Sequence, residues 1–210
     1  MIHTLIFDLD NTIYPKSAGI MQAIGQRILA FMEEELGINS SRVHVLRDTL
    51  FQEYGTTLRG LKAHFQFEVQ DYLDYVHNVE LSHFIKPDPN LNKVLAYLPQ
   101  KKFIFTNADQ KHTNNILAYL GICDEFTDII DVHKIDPYVK PNPEAYTKAQ
   151  EILKLDKWDG VLFIDDSLQN IISAERAGLK SVLIDEKGNM QYQPAIQSIF
   201  NLPKFLDSIT

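Results

Sequence analysis

The chain reads as an α/β protein: a mainly parallel sheet with a helical domain inserted into it. Three observations lead there. Short apolar runs at Ile2–Phe7, Lys101–Thr106 and Val161–Ile164 each end at acidic or hydroxyl residues. From about residue 90 such runs alternate with segments of helical period, the pattern of strand–helix–strand crossovers. Roughly ninety residues of helical character separate the first run from the second.

Taken in order, Ile2–Phe7 is a buried strand of β-branched and aromatic residues. Ser17 then caps a helix on which Ile20, Ile24, Ile28, Phe31 and Met32 recur at helical spacing, with Gly37 just past its end. Ser40 or Ser41 starts a second helix, closed by Gly55. A third begins near Leu58–Leu61, carries Phe65, Val69, Tyr72, Leu73 and Val76 on one face, and stops before the hinge-like Lys86-Pro87-Asp88-Pro89. Further helices are expected near Leu91–Tyr97, Gln110–Leu120, Pro143–Leu153 and Leu168–Ala177. Strands are expected near Phe103, Ile129, Leu162 and Val182, with Gly121 and Gly178 as left-handed helix ends. The expected division is a core of residues 1–15 and 88–210 and a helical cap of residues 16–87, mounted over the first carboxylates.

Composition narrows the function. The 210 residues are 45% hydrophobic and 23% charged, enough to bury a substantial core, and the net charge of −8 argues against nucleic-acid polymers or anionic membranes as partners. The single cysteine, Cys123, excludes an internal disulfide framework and is expected to be a small buried hydrophobe near a helix end. No apolar stretch has the length of a membrane span and the amino terminus lacks a basic leader, so a cytoplasmic protein is expected. There is no G-x-x-x-x-G-K-[ST], no G-x-G-x-x-G and no internal repeat. The seven histidines show no metal-binding spacing and read as packing or surface residues.

The most informative phrase is Phe7-Asp8-Leu9-Asp10-Asn11-Thr12. In an extended segment Asp8 and Asp10 project to the same side, and two like charges at a strand end need a cation. A D-x-D-x-T alone equally describes a turn or a helix start. Three further sites follow in order: Thr106-Asn107 at the end of the second run, Lys140 before a proline-initiated helix in Val139-Lys140-Pro141-Asn142-Pro143, and Asp165-Asp166-Ser167 after the third. A cluster of Asp oxygens without His or Cys is the ligand set of Mg²⁺.

Aspartate pair, hydroxyl, lysine and acidic pair, in that order from Asp8 to Asp166, resemble the four motifs of the haloacid dehalogenase-like hydrolases. That likeness implies a Rossmann-like core with an inserted cap. Within the superfamily, the segments 8–15, 53–61, 105–108 and 163–167 look like the pyrimidine 5′-nucleotidase branch.

The resemblance implies a phosphomonoesterase with Asp8 as nucleophile and Asp10 as general acid, then general base. Thr106 would donate to a phosphoryl oxygen and Lys140 would offset the negative charge. Mg²⁺ would be held by Asp8, Asp166, the Asp10 backbone carbonyl, and Asp165 directly or through water. Some relatives carry an acid where this chain has Asn170. Asn107 and the cap residues Tyr54, Thr57 and Arg59 are expected to bind substrate. Arg59 is singled out because a cation in a helix's first turn opposes the helix dipole.

The expected partner is a small phosphorylated metabolite, foremost a pyrimidine nucleoside 5′-monophosphate, and a homodimer is the assembly allowed for. Alternatives are a small sugar-phosphate phosphatase or phosphomutase, or a non-catalytic binding protein on the same scaffold. Asp10 disfavours a true dehalogenase, since that branch lacks the second aspartate.

Overall fold

A computed structural model describes residues 1–189 and 192–209. Its strands are β1 (Thr4–Phe7), β2 (Lys101–Phe105), β3 (Asp128–Ile130), β4 (Val161–Asp165), β5 (Lys180–Ile184) and β6 (Ala195–Ile196). They form one sheet in the order β3-β2-β1-β4-β5-β6, and every pairing is parallel. The chain divides into a sheet-bearing unit, residues 1–18 and 85–210, and a helical unit, residues 19–84. Helices α1 (Ile20–Glu34), α2 (Ser40–Tyr54), α3 (Thr57–His64) and α4 (Val69–Val76) build the helical unit. Helices α5 (Pro89–Tyr97), α6 (Gln110–Leu120), α7 (Pro143–Ile152), α8 (Leu168–Arg176) and α9 (Leu202–Ile209) belong to the sheet-bearing one.

Strand alternation sets the core. Ile6, Phe105, Ile130, Phe163 and Leu183, from five adjacent strands, share one buried cluster with Tyr146 and Ala149 of α7 and Ile171 and Ala174 of α8. The Tyr146 ring meets Phe105 and Phe163 edge-on at 5.7 and 6.0 Å between centroids. Burial of each such side chain contributes about 1.5–3 kcal/mol, so this layer fixes where β1, β2 and β4 end.

Several local expectations need correction. α1 is capped by Gly19 with φ +87, not by Ser17, whose backbone N–H and hydroxyl both donate to Glu186. α2 does start at Ser40 and close at Gly55, and its cap is Asn39, whose side chain accepts from Ser41 N. The expected third helix is two, α3 and α4, because Phe65 and Glu68 are extended. The break leaves Phe67 edge-on to Phe31 and tilted against Tyr72, with ring centroids 5.7 and 5.9 Å apart, and aromatic packing outweighs helix continuity. Cys123 is exposed in a short 3-10 turn, because the preceding Ile122 takes the buried position. Gly121 and Gly178 are left-handed, as expected. Among the described residues no helix is long and apolar enough to cross a membrane.

Candidate active site

All strands run the same way, so their carboxyl ends lie along one edge, and the order reverses beside β1, the crevice where such sheets bind ligands. Asp8 follows β1, and its N–H donates to Ile164 O at 2.8 Å, carrying the β1–β4 ladder one residue further. Asp165 is the last residue of β4. Alternation places Asp8 on the face of Ile6 and Asp165 on the face of Phe163, which is the face covered by α7. The segment leading into α7 supplies Lys140. Its ammonium donates to Asp8 Oδ1 and Asp165 Oδ2, both at 2.7 Å, and lies over the rings of Phe105 and Phe163 at 5.1 and 5.2 Å.

The backbone of Lys140 is held as firmly as its side chain. Lys140 N–H donates to Asn107 Oδ1 at 2.8 Å, and Asn107 Nδ2 donates to Lys140 O at 2.9 Å. Asn107, expected to bind substrate, therefore spends both ends of its amide on placing the lysine. Thr106 is buried in the turn after β2, where its Oγ1 accepts from Ala108 N at 3.0 Å.

Asp8, Asp165 and Asp166 each offer an oxygen, all within 4.8 Å of one another. Burial pushes the Asp8 carboxyl well above the ordinary range; Lys140 opposes this, while Asp165, Asp166 and Asp10 add to it. Asp166 rises to about 6, from burial and then from the charge of Asp165. So much crowded negative charge favours a bound cation. The donors are all hard carboxylate oxygens, with no sulfur or imidazole among them, and fit Mg²⁺.

The two acids of the pair are not equivalent. Asp165 accepts from Lys140, from Ser167 N at 2.8 Å and from Asn170 Nδ2 at 3.0 Å on each oxygen. Asp166 accepts from Asn11 Nδ2 at 3.3 Å and borders a cavity of about 360 Å³ that Lys16 and Glu186 also line. Asn170 holds Asp165 as a neutral donor.

The extended geometry assumed for Asp8 and Asp10 does not hold. β1 ends at Phe7, and the chain turns at once: Thr12 N and Ile13 N both donate to Leu9 O, and Asn11 has φ +61, a conformation Asn tolerates. The Asp10 side chain instead meets Tyr14 and His112, two residues the sequence reading passed over. Tyr14 Oη donates to Asp10 Oδ1 at 2.5 Å, and His112 Nε2 lies 3.0 Å from the same oxygen. Burial works against charging His112, but the Asp10 carboxylate outweighs it and shifts the ring up. The only sequence signals were Tyr14 at i+4 from Asp10 and a histidine in the first turn of the helix after the second motif.

Tyr54, Thr57 and Arg59 lie in the helical unit. Tyr54 Oη is 3.0 Å from His64 Nε2, and Thr57 is buried at the start of α3. Arg59 Nη1 donates to Tyr54 O at 3.3 Å, in the last residue of α2. A cation at that carbonyl end suits the α2 dipole, so the electrostatic misfit noted for Arg59 has a local remedy. Gly55 closes α2 in the left-handed conformation with φ +82, and Gly60 sits inside α3.

The fold and the acidic, lysine-centred crevice define a parallel α/β core with an inserted helical domain. Residues 2–178 match the family described as haloacid dehalogenase-like hydrolase, and the chain belongs to that family. It is 27% identical over 229 residues to phosphate metabolism protein 8 of Saccharomyces cerevisiae, covering 96% of this chain and 71% of that one. It is 25% identical to glyceraldehyde 3-phosphate phosphatase of Methanopyrus kandleri, over 88% of this chain and 84% of that one. The HAD phosphatase structure from Thermococcus onnurineus superposes with a TM-score of 0.67 at 20% identity, covering 98% of each chain, a likeness of fold.

Proposed function

We propose that the protein is a Mg²⁺-dependent phosphomonoesterase working through an aspartyl phosphate on Asp8, with pyrimidine nucleoside 5′-monophosphates as substrates. The observation that carries the reading is Lys140, buried and 2.7 Å from both Asp8 and Asp165 where the strands end. Asp8, Asp166 and the Asp10 backbone carbonyl would hold Mg²⁺, which would supply positive charge for a transferring phosphoryl group. Asp165, saturated with donors, fixes Lys140.

The chain's own residues then run two displacements. An Asp8 oxygen bonds to phosphorus as the ester P–O bond breaks, and Asp10 gives its proton to the departing alcohol. Asp10 next takes a proton from water as the water oxygen bonds to phosphorus, and the bond to Asp8 breaks. Lys140 and the Thr106 hydroxyl stabilise the phosphoryl oxygens in both steps.

The nucleotide part rests on the resemblance of segments 8–15, 53–61, 105–108 and 163–167 to the pyrimidine 5′-nucleotidase branch. Similarity to a glyceraldehyde 3-phosphate phosphatase favours a second reading, a small sugar-phosphate phosphatase. Phosphate release from UMP, CMP, AMP, GMP and glyceraldehyde 3-phosphate, with Mg²⁺ and with excess EDTA, separates them. UMP and CMP should lead, and EDTA should stop all turnover. A lead for the sugar phosphate would move the chain to the second reading, and full activity in EDTA would remove the metal.

A further inference from the structure

Ser173, inside α8, sends its hydroxyl out of its own helix. A serine there can bond the carbonyl one turn back, and alanine would serve the helix better by propensity. Ser173 Oγ instead donates to Pro141 O at 2.6 Å, across 32 residues of chain, and the residue is buried. Pro141 directly follows Lys140. α8 is a firm base for this contact, since Ile171 and Ala174 lie in the core cluster and Tyr146 Oη donates to Asn170 O at 2.8 Å.

Lys140 and Pro141 together carry three backbone polar groups, because proline has no N–H. Asn107 holds two of them: its Oδ1 accepts from Lys140 N at 2.8 Å and its Nδ2 donates to Lys140 O at 2.9 Å. Ser173 holds the third. Asn142 N closes the turn around the pair by donating to Val139 O at 2.8 Å. A lysine ammonium rides on a flexible four-carbon stem, so the placement of this turn decides whether Nζ reaches Asp8 and Asp165 at once, 2.7 Å from each. We propose that Ser173 is a positioning residue for Lys140, fixing the turn through Pro141 O so that the ammonium spans both acids. Its catalytic consequence rests on the phosphomonoesterase reading above. Ser173 takes no part in bond making and acts through Lys140.

The test has two readouts, both in Mg²⁺ and well below the melting transition. The first is kcat on p-nitrophenyl phosphate and on UMP. Ser173→Ala should lower it about 10-fold on both, because Lys140 acts on the phosphoryl group the two esters share. Ser173→Thr, which keeps the hydroxyl, should recover most of the loss. The second is NMR of the lysine side-chain nitrogens, with the Lys140 signal assigned by its absence from Lys140→Arg. In Ser173→Ala that ammonium should broaden or exchange faster with water. Lys102 is the control in the same spectrum: it is buried too, its ammonium donates to Leu98 O at 2.7 Å, and its signal should stay as in wild type.

Wild-type kcat in Ser173→Ala would overturn the proposal. So would a loss in Ser173→Thr as large as in Ser173→Ala, or a Lys102 signal that changes as much as that of Lys140, since each assigns the effect to general packing of α8. If thermal melts show that Ser173→Ala does not fold, Ser173→Cys, close in shape and a weak donor, decides by the same two readouts. A wild-type protein that releases phosphate from neither ester would overturn the phosphomonoesterase reading instead, and the Lys140 signal alone then decides whether Ser173 holds the lysine.

Discussion

Lys140 Nζ donates to Asp8 Oδ1 at 2.7 Å, joining positions 132 residues apart in the chain. The same ammonium holds Asp165, and both acids are buried, so one lysine sets the charge balance of the crevice. Burial works against its charge, but Asp165 and Asp8 outweigh this and hold Lys140 protonated beyond the usual lysine range.

Removing that charge should cost both folding and chemistry. Lys140→Met leaves Asp8 and Asp165 buried without their cation and should destabilise the protein by about 3–5 kcal/mol, with no measurable phosphate release. Asp165→Asn on top of it should recover part of the stability, because one of the stranded charges is gone. Asp8→Asn should abolish release while leaving the melting transition cooperative. Denaturant melts and a phosphate assay check all three, and wild-type turnover by Asp8→Asn would end the nucleophile assignment.

The carboxylate crowding makes stability depend on pH and metal together. Asp166 has its folded value raised from 3.8 to about 6. A raised carboxyl favours the fold at low pH, and that contribution is lost as pH climbs from about 4 through about 6. In EDTA, Asp166→Asn should therefore stabilise the protein at pH 7.5 by on the order of 1–3 kcal/mol and do little at pH 4. Mg²⁺ binds the ionised form, so it should raise the wild-type Tm more at pH 7.5 than at pH 5 and release protons on binding. Melts at both pH values with and without the ion decide it; a Mg²⁺ shift of equal size at both would contradict the coupling.

Inside the helical unit α2 and α3 pack tightly at Gly60. A Cβ at Gly60 would lie 2.6 Å from Leu50 Cβ, and Leu50 is buried. Gly60→Ala should then cost about 1–3 kcal/mol despite the better helix propensity of alanine. A second substitution, Leu50→Gly, which removes the Cβ itself, should relieve the clash and make the pair less than additive. A melting curve in which Gly60→Ala is neutral would show that α2 and α3 can separate freely.

Selectivity is the proposed task of Tyr54, Thr57 and Arg59. Tyr54→Ala or Arg59→Ala should narrow the preference for UMP over AMP by about 10-fold, while p-nitrophenyl phosphate is hydrolysed at the wild-type rate. Arg59 also donates to Tyr54 O at 3.3 Å, so a purely structural role predicts a lower Tm with the UMP/AMP ratio unchanged. Measuring the ratio and the Tm on the same samples separates the two.

What the sequence determined was the set of strand ends and their chemistry. Asp8, Thr106 and the Asp165-Asp166 pair are legible because apolar runs with strand propensity stop where a polar residue cannot be buried unpaired, and parallel strands gather such ends along one edge, while Lys140 is legible from its place before the proline that starts α7. Helices beginning at proline or ending at glycine were legible for the same reason: backbone geometry there is local.

Only tertiary structure decided what those ends do to one another. The break at Phe65–Glu68 goes with the edge-on packing of Phe67 against Phe31, a contact no local period encodes. Asn107 turned out to grip Lys140, and Asn170 to grip Asp165, because hydrogen bonds choose partners by position in space. His112 and Tyr14 stayed hidden for that reason. Tyr14 lies near Asp10 in sequence, but His112 is 102 residues away, and only the folded sheet brings α6 to the turn after β1.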